Sequence, residues 1–326
     1  MKTIKLLTFA LAILLILPLC ACSPVIIEDE LSVNVAVLNG TTGFGMAKLI
    51  YDSQNGEPTL NYNFSIETDA TAITDKLIQG SVDIAALPTN AASVLYNKTE
   101  GKIKVLALNT LGVLYVVENG NTVRSMSDLE GKTVYCPAQN PEFIVRYLCD
   151  IYGLNVNIDT SYASPKELMQ FIVPSSEGTI AVLPEPVLSV ATTNNANLNV
   201  ALNLTDEWDN KAENSSLVQG CVVVRTEFLE NHEKEVLEFL EEYERSVNYV
   251  NTNAKEVSEL VVSLGIYEGA AAVAEKAIPK CNIKYIDGNA MKTALSGFLA
   301  AMAEVNPKSI GGVLPDDNFY FIKNEK

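Results

Sequence analysis

Apolar and polar positions alternate with a period of two along "LSVNVAVL", residues 31–38, which predicts a half-buried strand. From Gly43 to Tyr51 the apolar positions return at three and four, which predicts a helix. The same succession repeats: strand "LNYNFSIE", helix Ala70 to Gln79, strand "VDIAAL", helix "TNAASVLYNK" capped by Thr89, then "IKVLALNTLGVLYVVE". Strand followed by helix, repeated, requires crossover connections and a mainly parallel sheet. The fold class is therefore α/β. The run from Ile103 to Glu118 is long for one strand, and Asn109, Thr110 and Gly112 interrupt it, so it is expected to form two strands joined end to end.

A second set follows: "KTVYCP", a helix from Pro141 to Tyr152, a polar strand near Asn155 to Thr160, a helix from Pro165 to Phe171, "GTIAVL", a helix after Pro184, and "LNVALNL". Another long apolar run, "LVQGCVVV", is again broken by a glycine. Two interrupted strands, one on each side of the second set, suit two crossings between lobes. The remainder reads as helical, with Asn231 as an N-cap.

The first thirty residues change the picture. Lys2 and Lys5 precede an uncharged apolar stretch that ends in "CACSP", the order of an export signal. The stretch from Leu6 to Leu19 is shorter than the roughly 20 residues of a membrane-spanning helix. Leu19-Cys20-Ala21-Cys22 resembles the bacterial lipoprotein signal, which implies cleavage before Cys22, lipid on Cys22, and a short tether over residues 22–30. Cleavage there leaves 305 residues (326 minus the 21 removed) and takes two lysines, moving the formal charge from −17 to −19. So acidic a body argues against nucleic acid as a partner. Cys136, Cys149, Cys221 and Cys281 show no framework spacing and no metal-ligand pattern, so four buried thiols are expected and neither metal nor cofactor. His232, the only histidine, stands among charges and suits a solvated surface position.

The glycine-rich "VLNGTTGFGMAK" invites a nucleotide reading. Gly40 and Gly45 have the P-loop separation, but Met46 and Ala47 stand where the lysine and hydroxyl belong. The dinucleotide fingerprint fits better, with Gly43, Gly45 and Glu67 in place, yet Lys48 occupies the third small position. What remains is a polar strand-to-helix turn at the carboxyl edge of a parallel sheet, where ligands of open α/β sheets bind. Thr41, Thr42, Gly43 and Phe44 come from this turn, and Thr89 and Asn90 from the next. Gln139 and Asn140, with Glu185 between Pro184 and Pro186, come from the second set. Each taken alone also suits a helix cap. Trp208, Phe44 and Phe143 are candidates for stacking on a ring, with core packing as the alternative for each.

"LNGTTGFGMAKL", "DKLIQGSVDIAALPTNAASVLYNK", "IKVLALNTLGVLYVVE", "SMSDLEGKTVY" and "TIAVLPEP" together resemble the lipid-anchored solute-binding proteins of bacterial ABC importers. The nearest branch is the nitrate/sulfonate/taurine and thiamine-pyrimidine one, with a two-lobed type II periplasmic-binding fold. The resemblance runs from about Leu31 to Glu304. It implies one lobe from residues 31–111 plus 219–326 and another from 112–218, with Gly112 and Gly220 as hinges. It further implies a monomer on the outer face of the cytoplasmic membrane that closes on a small solute and docks on a membrane permease, making and breaking no bond. The four turns contain no Arg or Lys, which favours a neutral or zwitterionic solute, heteroaromatic or sulfonate-like, over a strongly anionic one. The rivals are a protein-binding or signalling lipoprotein and an enzyme on the same fold.

Overall fold

The computed structural model describes residues 31–323, so the signal segment and Cys22 lie outside the described residues. Eleven described strands form two sheets. In chain order the first elements are β1 (Ser32–Leu38), α1 (Thr41–Phe44), α2 (Ala47–Gln54), β2 (Asn61–Glu67), α3 (Ala70–Gln79), β3 (Ile84–Pro88), α4 (Thr89–Lys98) and β4 (Ile103–Leu111). The second group comprises β5 (Leu114–Asn119), β6 (Thr133–Tyr135), α5 (Asn140–Tyr152), β7 (Asn157–Asp159), α6 (Pro165–Ile172), β8 (Ile180–Pro184), α7 (Val187–Asn194), β9 (Leu198–Asn203) and α8 (Leu204–Asp209). The chain then gives β10 (Val218–Arg225), α9 (Thr226–Asn231), α10 (Glu233–Thr252), α11 (Ala254–Ser263), α12 (Ala271–Ala277), β11 (Ile283–Asp287) and α13 (Gly288–Val305).

One sheet has the order β11-β4-β10-β3-β1-β2 and the other β7-β6-β8-β5-β9. β1, β2 and β3 run parallel, while β10 runs antiparallel to both β3 and β4. β4 therefore points the same way as β3, and its carboxyl end lies at the carboxyl edge of the first sheet. In the second sheet β6 and β8 are parallel and β5 is antiparallel to β8, so Leu114, the start of β5, pairs with Pro184 at the end of β8. Only Gly112 and Val113 separate β4 from β5. The carboxyl edges of the two sheets are thus brought face to face. This seam is the consequence that matters for function.

Four local expectations are corrected. The helix expected from Gly43 to Tyr51 is two pieces, broken between Phe44 and Ala47. Thr89 does not cap α4: the N-cap is Pro88, and the buried Thr89 hydroxyl donates to the Val218 carbonyl at 3.2 Å, tying β10 to the helix start. Asn231 ends α9, its amide donating to the Glu227 carbonyl, and the residue before α10 is His232. "LVQGCVVV" is one strand whose pairing with β4 shifts register around Gly220. A Cβ on Gly220 would stand 2.3 Å from Asn109 Oδ1, so the glycine permits close approach of β4 and β10.

The alternation along β5 divides the second sheet cleanly. Leu114 and Val116 face a core shared with the first sheet, whereas Tyr115 and Val117 face α6 and α7 through Leu168, Ile172, Leu188 and Ala191. The shared core joins both sheets through Leu148 of α5 and Phe298 of α13. At the far end of β5, Glu118 is fully buried yet accepts from Thr122 N at 2.6 Å, Thr122 Oγ1 at 2.6 Å and Val123 N at 3.0 Å. Burial alone would raise its pKa, but these bonds outweigh it and hold the carboxyl below its ordinary value.

Candidate functional site

Topology sends every strand end and strand-to-helix turn of interest to the seam. The first sheet contributes the turn after β1, the turn after β3, the start of β10 and, because β11 runs antiparallel to β4, the segment before β11. The second sheet contributes the turns after β6, β8 and β9.

The glycine turn is built for packing. Gly40 adopts φ 97°, which favours glycine, and its N–H donates to Ile266 O. A Cβ on Gly43 would lie 2.5 Å from the carbonyl oxygen of Leu38, and one on Gly45 would lie 2.8 Å from the Tyr243 hydroxyl. The bare backbone thus lets α1 fold against the end of its own strand. Asn109 Nδ2 donates to Thr42 O at 3.1 Å, and Thr110 Oγ1 to Thr41 O at 3.4 Å, so β4, which β10 and β3 separate from β1 in the sheet, holds the turn. Thr41 is half-buried, Thr42 buried, and Phe44 wholly buried beside Tyr267 at 6.1 Å between ring centres. Phe44 is therefore a core residue, closed to stacking on a solute.

Trp208 is also core. It has no exposed surface, packs at 4.7 Å on Tyr147 of α5 and 5.6 Å on Phe298 of α13, and donates its Nε1–H to Ser215 Oγ at 3.1 Å. Apolar contacts with both sheets' helices surround the ring. Phe143 is partly buried against the shared core.

Gly112 stands in the crossing between the sheets. A Cβ there would meet Thr205 Oγ1 at 2.2 Å and Leu217 Cδ2 at 2.6 Å, so the outgoing and returning segments touch at this point. Gly220 lies inside β10, past the returning segment, and is placed by strand packing.

Asn90, in the first turn of α4, and Asn140, in the first turn of α5, come from opposite sheets. Each has a buried Oδ1 with no protein hydrogen-bond partner. Thr205 Oγ1 and Gln219 Nε2, on the two sides of the returning segment, are in the same condition. Gln139, exposed beside Asn140, holds φ 70°, a region costly for a residue with a Cβ.

Glu185 is 2% exposed. Its Oε2 accepts from Ser189 N at 3.1 Å and its Oε1 from Ser189 Oγ at 3.0 Å, while Lys280 Nζ, from the segment before β11 of the first sheet, stands 3.7 Å from Oε1. Burial pushes the carboxyl up against the opposing pull of Ser189 and Lys280. Tyr115 donates its hydroxyl to the Lys280 carbonyl at 3.0 Å, and burial together with the Glu185 charge pushes that hydroxyl to about 12. Sequence reasoning missed Lys280, Tyr115, Gln219 and Thr205. Ser189 was findable, since it follows Glu185 by one helical turn; nothing near Lys280 in the chain pointed to the seam.

All four cysteines within the described residues are free and buried. Among the described residues no cluster of three His, Cys, Asp or Glu side chains is placed to hold a metal, and no helix is long and apolar enough to cross a membrane. His232 lies at the opposite edge of the first sheet, beyond the end of β10, with Nδ1 4.0 Å from Glu235 Oε2.

No protein-family model and no curated protein matches the chain. Solved structures do. A crystal structure of an ABC transporter protein from Parabacteroides distasonis is similar with a TM-score of 0.75 and 26% identity, over 90% of this chain and 99% of that one. The periplasmic aliphatic sulphonate binding protein SsuA from Escherichia coli gives 0.69 and 12%, over 90% and 94%. The ligand binding component of an ABC-type import system from Staphylococcus aureus, solved with zinc bound, gives 0.65 and 15%, over 89% and 96%. Two sheets with their carboxyl edges opposed across short crossings, together with these likenesses, identify the chain's architecture as the type II periplasmic-binding fold of ABC-importer binding proteins.

Proposed function

We propose that the protein is an exported solute-binding lipoprotein, anchored through Cys22, which captures a small neutral or zwitterionic solute at the seam and delivers it to an ABC permease. The observation that carries this reading is the set of buried polar atoms without partners on both sides of the seam: Asn90 and Gln219 from one sheet, Asn140 from the other, and Thr205 at the crossing. Buried polar groups are nearly always hydrogen-bonded, so these four atoms call for partners from outside the chain, which a solute held at the seam would supply. The sulfonate-binding neighbours support a small polar cargo, sulfonate-like solutes among the candidates. The mechanism is a population shift: a solute bonded to both lobes stabilises the closed arrangement by its differential affinity. The reading includes no catalysis; the lone histidine lies away from the seam. It also takes the protein to act as a monomer.

Mass spectrometry of solutes released on denaturing the purified protein is expected to yield a small polar compound. Asn90→Ala and Asn140→Ala should each weaken its binding by about 0.5–1.5 kcal/mol, the net worth of a hydrogen bond, and leave the stability of the solute-free protein unchanged, because the truncated atoms have no protein partner to lose. Full affinity in both variants would remove the seam as the binding site. For the anchor, the intact mass of protein extracted from membranes should place lipid on Cys22; an unmodified Cys22 in that material overturns it.

A further inference from the structure

We infer that the Glu185 carboxylate is a subsite for a primary ammonium group, filled from within the chain by Lys280, and that the cargo selected is one bringing its own ammonium to displace that lysine. The inference rests on the solute-binding reading above and names the class of solute.

Glu185 and Lys280 belong to opposite lobes. The carboxylate follows β8 in the second sheet and the lysine precedes β11 in the first. Their environments differ sharply, since the Glu185 side chain has no exposed surface whereas the Lys280 side chain is 47% exposed. A buried carboxylate stripped of its cation bears the full cost of desolvation. A half-exposed ammonium that leaves it simply returns to water. The pair is therefore asymmetric: the ionised Glu185 depends on a cation, and Lys280 is the partner that can be replaced. The Lys280 backbone stays in place during such an exchange, because Tyr115 holds its carbonyl at 3.0 Å.

The remaining bonds decide which cation fits. Ser189 supplies one donor to each carboxylate oxygen, N–H to Oε2 and hydroxyl to Oε1. A guanidinium, which engages two oxygens at once along a fork, would have to compete with both. An ammonium meets Oε1 as a point charge, in the manner of Lys280 at 3.7 Å. The turns after β1 and β3, which carry no charged side chain, then give the rest of the solute neutral amides and hydroxyls, which suits an amine-bearing polar molecule.

Lys280→Ala removes the four heavy atoms from Cγ to Nζ and should leave a space that n-propylammonium matches atom for atom. At about 100 mM, n-propylammonium chloride is expected to raise the melting temperature of Lys280→Ala saturably, by linkage to the folded state, and beyond the effect of equal sodium chloride or n-propanol. Wild type, in which Lys280 competes, should respond less. Lys280→Met, which fills the space without a charge, and the double variant Lys280→Ala with Glu185→Gln should show no ammonium-specific rise. A rise equal in all four proteins, or none in Lys280→Ala, overturns the subsite. Since the probe is n-propylammonium and not the native cargo, this result stands apart from whether a solute is recovered from the purified protein.

Discussion

Trp208→Ala is expected to lower the stability of the folded protein by about 3–5 kcal/mol, the range for deleting a large buried aromatic. The indole has no exposed surface and lies between Tyr147 of α5 and Phe298 of α13. Its removal leaves a cavity that neither helix can fill alone, because α5 is fixed to the second sheet and α13 to the first. Ser215 also loses the Nε1–H it accepts at 3.1 Å. Urea unfolding followed by circular dichroism measures the effect; fluorescence will not serve, as Trp208 is the chain's single tryptophan. Trp208→Phe should recover much of the loss by keeping an aromatic ring between the two neighbours. A stability change under about 1 kcal/mol would mean that the ring is not core, and a selective loss of solute affinity would restore it as a stacking group.

The two placements of tryptophan, in core or in cleft, look alike in the chain. An aromatic in the first turns after a strand carries no local sign of whether it meets a solute or Phe298, ninety residues on. The succession of strands and helices was legible because hydrophobic period is a local property: 2 along "LSVNVAVL", near 3.6 along Ala70 to Gln79. The break between β4 and β5 was legible too, since Asn109, Thr110 and Gly112 disrupt an apolar run where two strands meet. Gly220 disrupts its run in the same manner, yet it marks a register shift opposite Asn109. A crossing and a close approach write the same residue into the sequence, and only the partner strand separates them. The site divides similarly. Glu185 could be placed at a sheet edge from its strand and its two prolines, whereas the cation beside it comes from Lys280, which tertiary structure alone brings there.

At the opposite edge of the first sheet, Arg225→Ala is expected to destabilise the protein by about 3–5 kcal/mol, as breaking one side of a buried ion pair does. Arg225 Nη2 lies 2.9 Å from Asp83 Oδ1, and its Nε–H donates to Val82 O at 3.1 Å. Asp83 is 5% exposed, and its Oδ2 accepts from the N–H and the side-chain amide of Asn34, both at 3.0 Å. β1, β3 and β10 are thus joined through one carboxylate at the point where β3 begins and β10 ends. Without the guanidinium, Asp83 remains out of water with one oxygen unpaired. Arg225→Lys should recover only part of the loss, because an ammonium cannot hold Asp83 and the Val82 carbonyl in the same planar geometry. The double variant Arg225→Met with Asp83→Leu should be more stable than Arg225→Ala, since it strands no charge, and the neutral bonds it also removes, from Asn34 to Asp83 and from Arg225 to Val82 O, cost less than an unpaired carboxylate. The pair lies across the sheet from the seam, so solute affinity should stay at the wild-type value throughout. Urea unfolding of the single and double variants decides the matter: a double variant no more stable than Arg225→Ala would show that packing around Arg225, and not the stranded carboxylate, carries the cost.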